Sequence, residues 1–271
     1  MTARVSTQHA ARLEIDGVHL AYRVDAPSAD APAVVLLHSL GTDLRMWEPQ
    51  TRALAQRFRV VRYDCRGHGA SDVSTETVTI ERLGRDVIAL LDHLEIERAH
   101  LCGISLGGLT ALWLAVQHPA RVDRIVLANT GARVGSAESW DARIAAVQHG
   151  GMSAIREPVL GRWTGEAFRA AHPDVARQLG EMLDHTPVDG YVAACRALRD
   201  ADLRADAHAV RAPTLIVAGG IDESTPPALG EALHAAIPGS VLVVLPDAAH
   251  LSNIERPDEF TAIVTRFLGG A

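Results

Sequence analysis

The chain has 271 residues, of which 48% are hydrophobic and 22% are charged, and its formal net charge is −7 at pH 7. This balance is typical of a globular protein, and a negative chain without a basic cluster is not expected to bind nucleic acid. All 26 basic residues are arginine. The lack of lysine excludes Schiff-base, pyridoxal-phosphate and P-loop chemistry, because each of them uses a lysine amine.

The sequence contains neither a membrane segment nor a metal-binding motif. The N-terminal stretch MTARVSTQHAARLEIDG lacks the apolar core of a signal peptide, and no window approaches eighteen uncharged apolar residues. We therefore expect a cytoplasmic protein that does not contact a membrane. Cys65, Cys102 and Cys195 are odd in number and far apart, so we expect reduced thiols. The sequence has no H-E-x-x-H motif, and GISLGG does not fit G-x-G-x-x-G, so we expect neither a metal nor another cofactor.

The order of the predicted elements indicates an α/β protein. Two alternating β runs within residues 12–24 surround Asp16-Gly17, which is a strong hairpin signal. Short runs rich in Val, Ile and Leu then alternate with helical patterns, which predicts a mainly parallel eight-stranded sheet with helices on both faces. After the hairpin, the predicted strands are 33–37, 58–63, 99–102, 122–128, 213–218 and 241–245, and the predicted helices are 43–56, 79–94, 106–117, 226–236 and 255–268.

One interval breaks this alternation of strands and helices. From about residue 132 to residue 205 no strand is predicted, and the sequence contains only helical stretches broken by Gly and Pro. We interpret residues 132–205 as a helical cap, or lid, inserted into a core domain. The core domain would consist of residues 1–131 and 206–271.

The stretch CGISLGG, residues 102–108, places Ser105 at the junction of a predicted strand and a predicted helix. Gly103-Ile104-Ser105-Leu106-Gly107 fits the G-x-S-x-G pattern, in which small residues let a strand turn sharply into a helix and expose the serine hydroxyl. The alternative is a glycine-rich turn without a chemical role. We favour a nucleophile at Ser105 because both flanking elements are present.

A nucleophilic serine needs a base that takes its proton and an acid that orients the base. Asp222 follows the penultimate predicted strand and His250 follows the last one, so both lie at strand ends where catalytic groups gather. Asp247 is too near His250 in sequence to be the expected partner, and Glu223 would point differently from Asp222. We therefore predict that Ser105, Asp222 and His250 are the catalytic residues.

Acyl transfer also needs hydrogen-bond donors for an oxyanion, one from the residue after the nucleophile and one from the loop after the third strand. Leu106 N–H is the predicted first donor. His38-Ser39-Leu40-Gly41 follows the third strand, and we predict Leu40 N–H as the second donor, with Ser39 N–H as the alternative. A simple turn is the other interpretation of HSLG. Residues 63–69 contain Asp, Arg and His, but we expect them to shape a tight loop.

Five stretches carry a resemblance to a known family: HSLGTDLRMWEPQ (38–50), RYDCRGHGASD (62–72), CGISLGGLTALWLA (102–115), GYVAACRALRDADLR (190–204) and DAAHLSNIERP (247–257). They resemble the α/β-hydrolase superfamily and, within it, the bacterial 3-oxoadipate enol-lactonases. The resemblance implies the α/β-hydrolase fold and a serine enzyme that opens an enol-lactone to 3-oxoadipate in aromatic degradation. Rival functions are a carboxylesterase, a C–C bond hydrolase, a cofactor-free haloperoxidase or a small-molecule receptor.

The substrate that the resemblance implies is a small lactone with a free carboxylate, which a negative protein must receive at a local cation. Arginine offers a planar pair of donors that fits a carboxylate. Arg133, just after the sixth strand, and Arg196, in the predicted cap, are our first choices, ahead of Arg143 and Arg162. The other predicted residues of the substrate site are Ser39, Trp140 and Trp163.

Overall fold

The structure is a computed structural model that describes residues 10–26, 28 and 30–270. Residues 1–9, which begin the stretch inspected for a signal peptide, lie outside the described residues. The strands are β1 (Ala11–Ile15), β2 (Val18–Asp25), β3 (Ala33–Leu37), β4 (Arg59–Tyr63), β5 (Ala99–Ile104), β6 (Val122–Ala128), β7 (Thr214–Gly219) and β8 (Val241–Leu245).

All eight strands form one sheet in the order β1-β2-β4-β3-β5-β6-β7-β8. The pairs β1–β2 and β2–β4 are antiparallel, and the other five pairs are parallel. This arrangement confirms the mainly parallel eight-stranded sheet predicted from the sequence. Every residue of the central strands β3, β5 and β7 is buried. The edge strand β8 is different, since Val241 is 51% exposed and Val244 is 41% exposed. Although its apolar sequence is typical of a strand buried on both faces, β8 is not fully buried.

The helices are α1 (Glu48–Leu54), α2 (Ile80–His93), α3 (Leu106–Gln117), α4 (Ala137–Gly150), α5 (Arg156–Trp163), α6 (Glu166–Ala171), α7 (Pro173–His185), α8 (Val188–Asp200), α9 (Pro227–Ala236), α10 (Ser252–Glu255) and α11 (Pro257–Leu268). Helix α3 is apolar on nearly all sides and packs against β3, β5 and β6. Such a helix is stable only inside a core. Within the described ranges, no helix has the length and apolar character needed to cross a membrane.

Two of the predicted helices differ from the structure. In the first, 43–56, the Asp43 carboxylate accepts a hydrogen bond from the Arg45 amide and starts a separate 3₁₀ turn, Leu44–Trp47, before α1. The second, 255–268, corresponds to α11 but begins two residues later than predicted, and Glu255 instead ends the separate short helix α10. Pro257 causes the break at Arg256, because a proline disfavours helical backbone at the residue before it.

Helices α4 to α8 all lie between β6 and β7, and residues 132–205 contain no strand. Helix α8 approaches the loop after β4 very closely, since a Cβ atom at Gly67 or at Gly190 would collide with the backbone of the other residue. Gly67 also has a φ of +72°, which favours glycine. The treatment of 132–205 and of the two flanking segments as separate domains stays a prediction.

The loop after β4 is held by charged side chains. The Asp64 carboxylate accepts hydrogen bonds from the amides of Leu44 (2.7 Å) and Ala70 (2.9 Å). Arg66 forms a bidentate ion pair with Asp86, in which Nε donates to Oδ2 at 2.5 Å and Nη2 donates to Oδ1 at 2.7 Å. Both side chains are 1% exposed. These contacts give the acidic and basic residues of 63–69 structural partners.

Candidate active site

Ser105 lies on a sharp turn between β5 and α3. Its backbone angles, φ 56° and ψ −115°, are strained for a residue with a side chain. A Cβ atom at Gly103 would collide with the Gly107 carbonyl, and one at Gly107 would collide with the Leu37 carbonyl. The two glycines are therefore required by the close approach of backbone segments, and they allow the turn that presents Ser105.

Asp222 and His250 meet at the carboxyl ends of β7 and β8. His250 Nδ1 lies 2.9 Å from Asp222 Oδ2, and the side chains are 5% and 0% exposed. Because an ionised carboxylate only accepts hydrogen bonds, the proton of the imidazole is on Nδ1 and Nε2 is left as an acceptor. The rival acid Asp247 is 81% exposed and pairs with Arg256 instead.

Four further donors surround the Asp222 carboxylate. Oδ1 accepts hydrogen bonds from the amides of Ser224 (2.8 Å) and Thr225 (2.9 Å). Oδ2 accepts from the Thr225 hydroxyl (2.6 Å) and from Asn129 Nδ2 (3.0 Å). Burial alone would raise the pKa of Asp222, but His250 and the hydrogen bonds from His250 and Thr225 lower it to about 2. Asp222 is thus a carboxylate at neutral pH.

Two backbone amides near Ser105 donate to no group in the part of the chain that the structure describes. Leu106 is the first residue of α3, so its N–H has no partner within the helix. The Ser39 amide donates to the Met46 sulfur at 3.3 Å, whereas the Leu40 amide donates to no group of the described chain. Of these two amides, only that of Leu40 lacks an acceptor in the described chain, and its role as an oxyanion donor stays a prediction.

His38 holds the loop that carries Leu40. Its Nε2 accepts a hydrogen bond from the Cys65 amide at 3.0 Å, and its Nδ1 lies 2.7 Å from the Ser39 carbonyl. An imidazole that accepts at Nε2 carries its proton on Nδ1, so the neutral ring satisfies both contacts. Gly41 ends the loop with a φ of +77°.

A cavity of about 330 Å³ opens above Ser105 and His250. Its floor includes Ser39 and Leu40 of the core. Its walls come from the helices between β6 and β7, and both predicted tryptophans are in them. The wall includes Trp140, Arg143, Arg162, Trp163 and Tyr191, and Glu223 and Ser224 line the core side.

The structure brings Arg143 and Arg162 to this cavity, and it places our first choices, Arg133 and Arg196, elsewhere. The Arg133 guanidinium forms an ion pair at the surface with Asp202, with 3.5 Å between Nη1 and Oδ2. Arg196 lies on α8 five residues after Tyr191, and five residues rotate a helical side chain by about 140°. It consequently lines a different depression, formed with residues 73–78.

Neither arginine of the cavity wall has a carboxylate partner within 4.0 Å in the described part of the chain. Arg143 follows Trp140 by three residues on α4, which places both side chains on one face. The Arg143 guanidinium stacks over the Trp140 ring, 5.0 Å from its centroid. Two positive groups without acidic partners make this wall suitable for an anion.

A family model described as "alpha/beta hydrolase fold" matches residues 32–257. The chain belongs to the α/β-hydrolase family. This membership confirms the fold class predicted from the sequence, and the protein is a hydrolase.

Named relatives of this α/β hydrolase are similar over almost the whole chain. The 3-oxoadipate enol-lactonase 1 of Acinetobacter baylyi is 43% identical over 252 residues, which are 93% of this chain and 94% of that protein. The crystal structure of the enol-lactonase from Burkholderia xenovorans has a TM-score of 0.94 at 43% identity and covers 96% of this chain and 100% of its own. An esterase structure from Thermogutta terrifontis has a TM-score of 0.87 at 30% identity, with 96% and 97% covered.

Sequence reasoning missed the groups of this α/β hydrolase that support Asp222 and His250. Asn129 donates to both the Asp222 carboxylate and the Ala249 carbonyl, and it directly follows β6. Its position at a strand end is a signal that could have been used, because parallel strand ends meet at one edge. Thr225 has no comparable signal, since its contact depends on a turn formed by Asp222 itself.

Proposed function

We propose that this α/β hydrolase opens 3-oxoadipate enol-lactone to 3-oxoadipate by serine catalysis, in the degradation of aromatic compounds through protocatechuate or catechol. The observation that carries the proposal is the set of residues that line one cavity. Ser105, His250 and two arginines that have no carboxylate within 4.0 Å among the described residues line the same space of about 330 Å³. The names of relatives that are 43% and 40% identical support a lactone as the substrate.

The first half of the reaction forms an acyl-enzyme. His250 Nε2 takes the proton of Ser105 as the serine oxygen attacks the lactone carbonyl carbon. The amides of Leu40 and Leu106 stabilise the oxyanion, an effect worth about 3–4 kcal/mol per donor in comparable sites. The bond between the carbonyl carbon and the ring oxygen then breaks, and His250 returns its proton to the ring oxygen, which leaves as an enol and becomes a ketone.

The second half of the reaction releases the product. His250 takes a proton from a water molecule, and the resulting hydroxide attacks the acyl carbon. Collapse of the intermediate breaks the bond to Ser105, which regains its proton from His250. An enol is a better leaving group than an alcohol, which makes the ring-opening step easier. The reactants are the substrate and water, and the groups that act on them are the side chains of Ser105, His250 and Asp222 and the amides of Leu40 and Leu106.

We assign the free carboxylate of the substrate to Arg143 and Arg162. A guanidinium binds a carboxylate through two parallel hydrogen bonds, and in a cavity that partly excludes water this contact is stronger than at the surface. Trp140 holds the Arg143 guanidinium by stacking, so its orientation is set before the substrate binds. Trp163 and Tyr191 supply the apolar wall for the lactone ring.

A carboxylesterase is the main alternative, and the rate ratio for two substrates separates the two functions. The purified protein is assayed with 3-oxoadipate enol-lactone, by loss of ultraviolet absorbance, and with p-nitrophenyl acetate. We expect a kcat/KM for the lactone at least about a hundredfold above that for the ester, because only the lactone uses the arginines. A higher kcat/KM for the ester would favour the carboxylesterase, and ligand binding without turnover would favour a receptor.

A further inference from the structure

The loop that carries His250 is joined to the end of helix α5 by backbone hydrogen bonds. The Leu251 amide donates to the Trp163 carbonyl at 2.8 Å, and the His250 amide donates to the Arg162 carbonyl at 3.4 Å. Arg162 and Trp163 also contribute side chains to the cavity wall. The same short segment therefore contacts the backbone of the proposed base and faces the substrate.

The Glu255 side chain strengthens the connection between the His250 loop and the end of α5. Glu255 is 9% exposed and ends the short helix α10, which begins two residues after His250. One carboxylate oxygen accepts the Gly165 amide at 2.7 Å, and the other accepts the amide of Ala249, the residue before His250. A single side chain thus binds both the segment after α5 and the loop of His250.

Arg169, on helix α6, holds the end of α5 through further hydrogen bonds. Arg169 donates from one guanidinium nitrogen to the carbonyls of Leu160 (3.1 Å) and Thr164 at the end of α5. The segment 162–165 is therefore held by Arg169 on one side and by Glu255 on the other. Neither Arg169 nor Glu255 lines the cavity, so both support this segment from outside it.

We propose that Glu255 is a positioning residue that fixes His250 and Arg162 in one relative geometry by holding the amides of Ala249 and Gly165 together. This inference rests on the proposed role of His250 as the general base. The carboxylate is suited to this task because it has two acceptor oxygens and no donor. A glutamine has one oxygen and one NH₂ group, so it faces one of the two amides with a donor.

A substitution at Gly165 can also break the hydrogen bond between its amide and the Glu255 carboxylate, by removing the donor instead of the acceptor. The φ of Gly165, −62°, suits proline, and Thr164 before it is extended, with φ −141° and ψ 146°, as a residue before proline prefers. Gly165→Pro therefore removes the N–H that Glu255 accepts with little other backbone change. Gly165→Ala keeps that N–H, and its Cβ would have no neighbour nearer than 3.4 Å.

The test measures how fast Ser105 reacts with diethyl p-nitrophenyl phosphate. Ser105 Oγ forms a bond to phosphorus, His250 takes the hydroxyl proton, and p-nitrophenolate leaves. The amplitude of p-nitrophenolate release counts intact sites, and its rate measures activation of the serine by His250. Neither quantity depends on the identity of the natural substrate. Glu255→Gln is compared with Glu259→Gln, which changes an exposed glutamate on α11, and Gly165→Pro is compared with Gly165→Ala.

We expect Glu255→Gln to retain intact sites that are labelled about tenfold more slowly than those of Glu259→Gln, since a small displacement of the base is costly. Gly165→Pro should be slower than Gly165→Ala by a similar factor. Both disruptive variants should also raise KM for the carboxylated lactone more than KM for p-nitrophenyl acetate, because Arg162 is displaced as well. A purely structural role would lower the amplitude and leave the rate per intact site unchanged.

Equal labelling rates per intact site across both pairs would overturn the inference while leaving the proposed function untouched. If Glu255→Gln does not fold, the comparison at Gly165 decides alone. A wild-type protein that is labelled no faster than Ser105→Ala would overturn the proposed function and, with it, the role of Glu255.

Discussion

His250 Nδ1 lies 2.9 Å from Asp222 Oδ2 at the point where β7 and β8 end, and neither side chain is more than 5% exposed. Burial makes this contact effective, because water does not compete for it. The contact fixes the ring orientation and the proton position. In the proposed mechanism it also stabilises the positive imidazole that forms when Ser105 loses its proton.

Asp222→Asn should leave the fold intact and lower kcat by about 10³- to 10⁴-fold, because the amide no longer stabilises the imidazolium and allows the wrong tautomer. The matched control is Asp247→Asn, which alters an exposed aspartate that pairs with Arg256. The control should keep kcat within about twofold of wild type. Similar losses in both variants would contradict the assignment of Asp222.

The low pKa of Asp222 predicts a dependence of stability on pH. Its pKa falls from 3.8 to about 2 on folding, so the folded state binds this proton less tightly than the unfolded state does. The resulting stabilisation, about 2 kcal/mol, is complete above pH ~4 and is lost as the pH falls toward ~2. Urea unfolding between pH 2 and 5 should show that the free-energy difference between wild type and Asp222→Asn narrows as the pH falls.

Arg143→Gln and Arg162→Gln should each raise KM for the carboxylated lactone by about tenfold, the loss expected for one charge-assisted contact. KM for p-nitrophenyl acetate should stay nearly constant, because this ester has no free charge. Arg133→Gln and Arg196→Gln are the controls, since both arginines lie outside the cavity lining. A larger rise of KM for the lactone in Arg133→Gln or Arg196→Gln would show that one of these arginines, predicted first from the sequence, binds the carboxylate.

Gly107→Ala should lower the free energy of unfolding by about 1–3 kcal/mol, because its Cβ collides with the Leu37 carbonyl and forces the backbone apart. Gly161→Ala in helix α5 is the control, since its Cβ has no neighbour within 4 Å. That control should stabilise the protein by about 0.5–1 kcal/mol. Urea denaturation of the two variants measures both effects, and equal changes would contradict the packing argument.

Strand ends are predictable from a sequence of this type, whereas the orientation of side chains on the helices between β6 and β7 is not. Asp222 and His250 follow apolar runs, and in a parallel sheet the ends of such runs meet at one edge regardless of the loops between them. Which face of a helix turns to the cavity depends on packing between helices, and position along the chain does not reveal it. Arg196 illustrates this, since it shares α8 with Tyr191 but lies on another face.

The sequence held a weak signal that Arg143 faces the cavity. Trp140 lines the cavity, and Arg143 lies three residues later, which places it on the same helical face. Glu255 has no such signal. Its two partners are backbone amides, one of them ninety residues away, and only the folded chain brings them together.

The central claim is that Ser105 opens the lactone by direct attack. The most direct measurement follows the ultraviolet absorbance of 3-oxoadipate enol-lactone with wild type and with Ser105→Ala at equal concentration. We predict rapid loss of absorbance with wild type and a rate with Ser105→Ala at least about 10³-fold lower. Turnover of the lactone by Ser105→Ala at a rate near that of wild type would contradict the account.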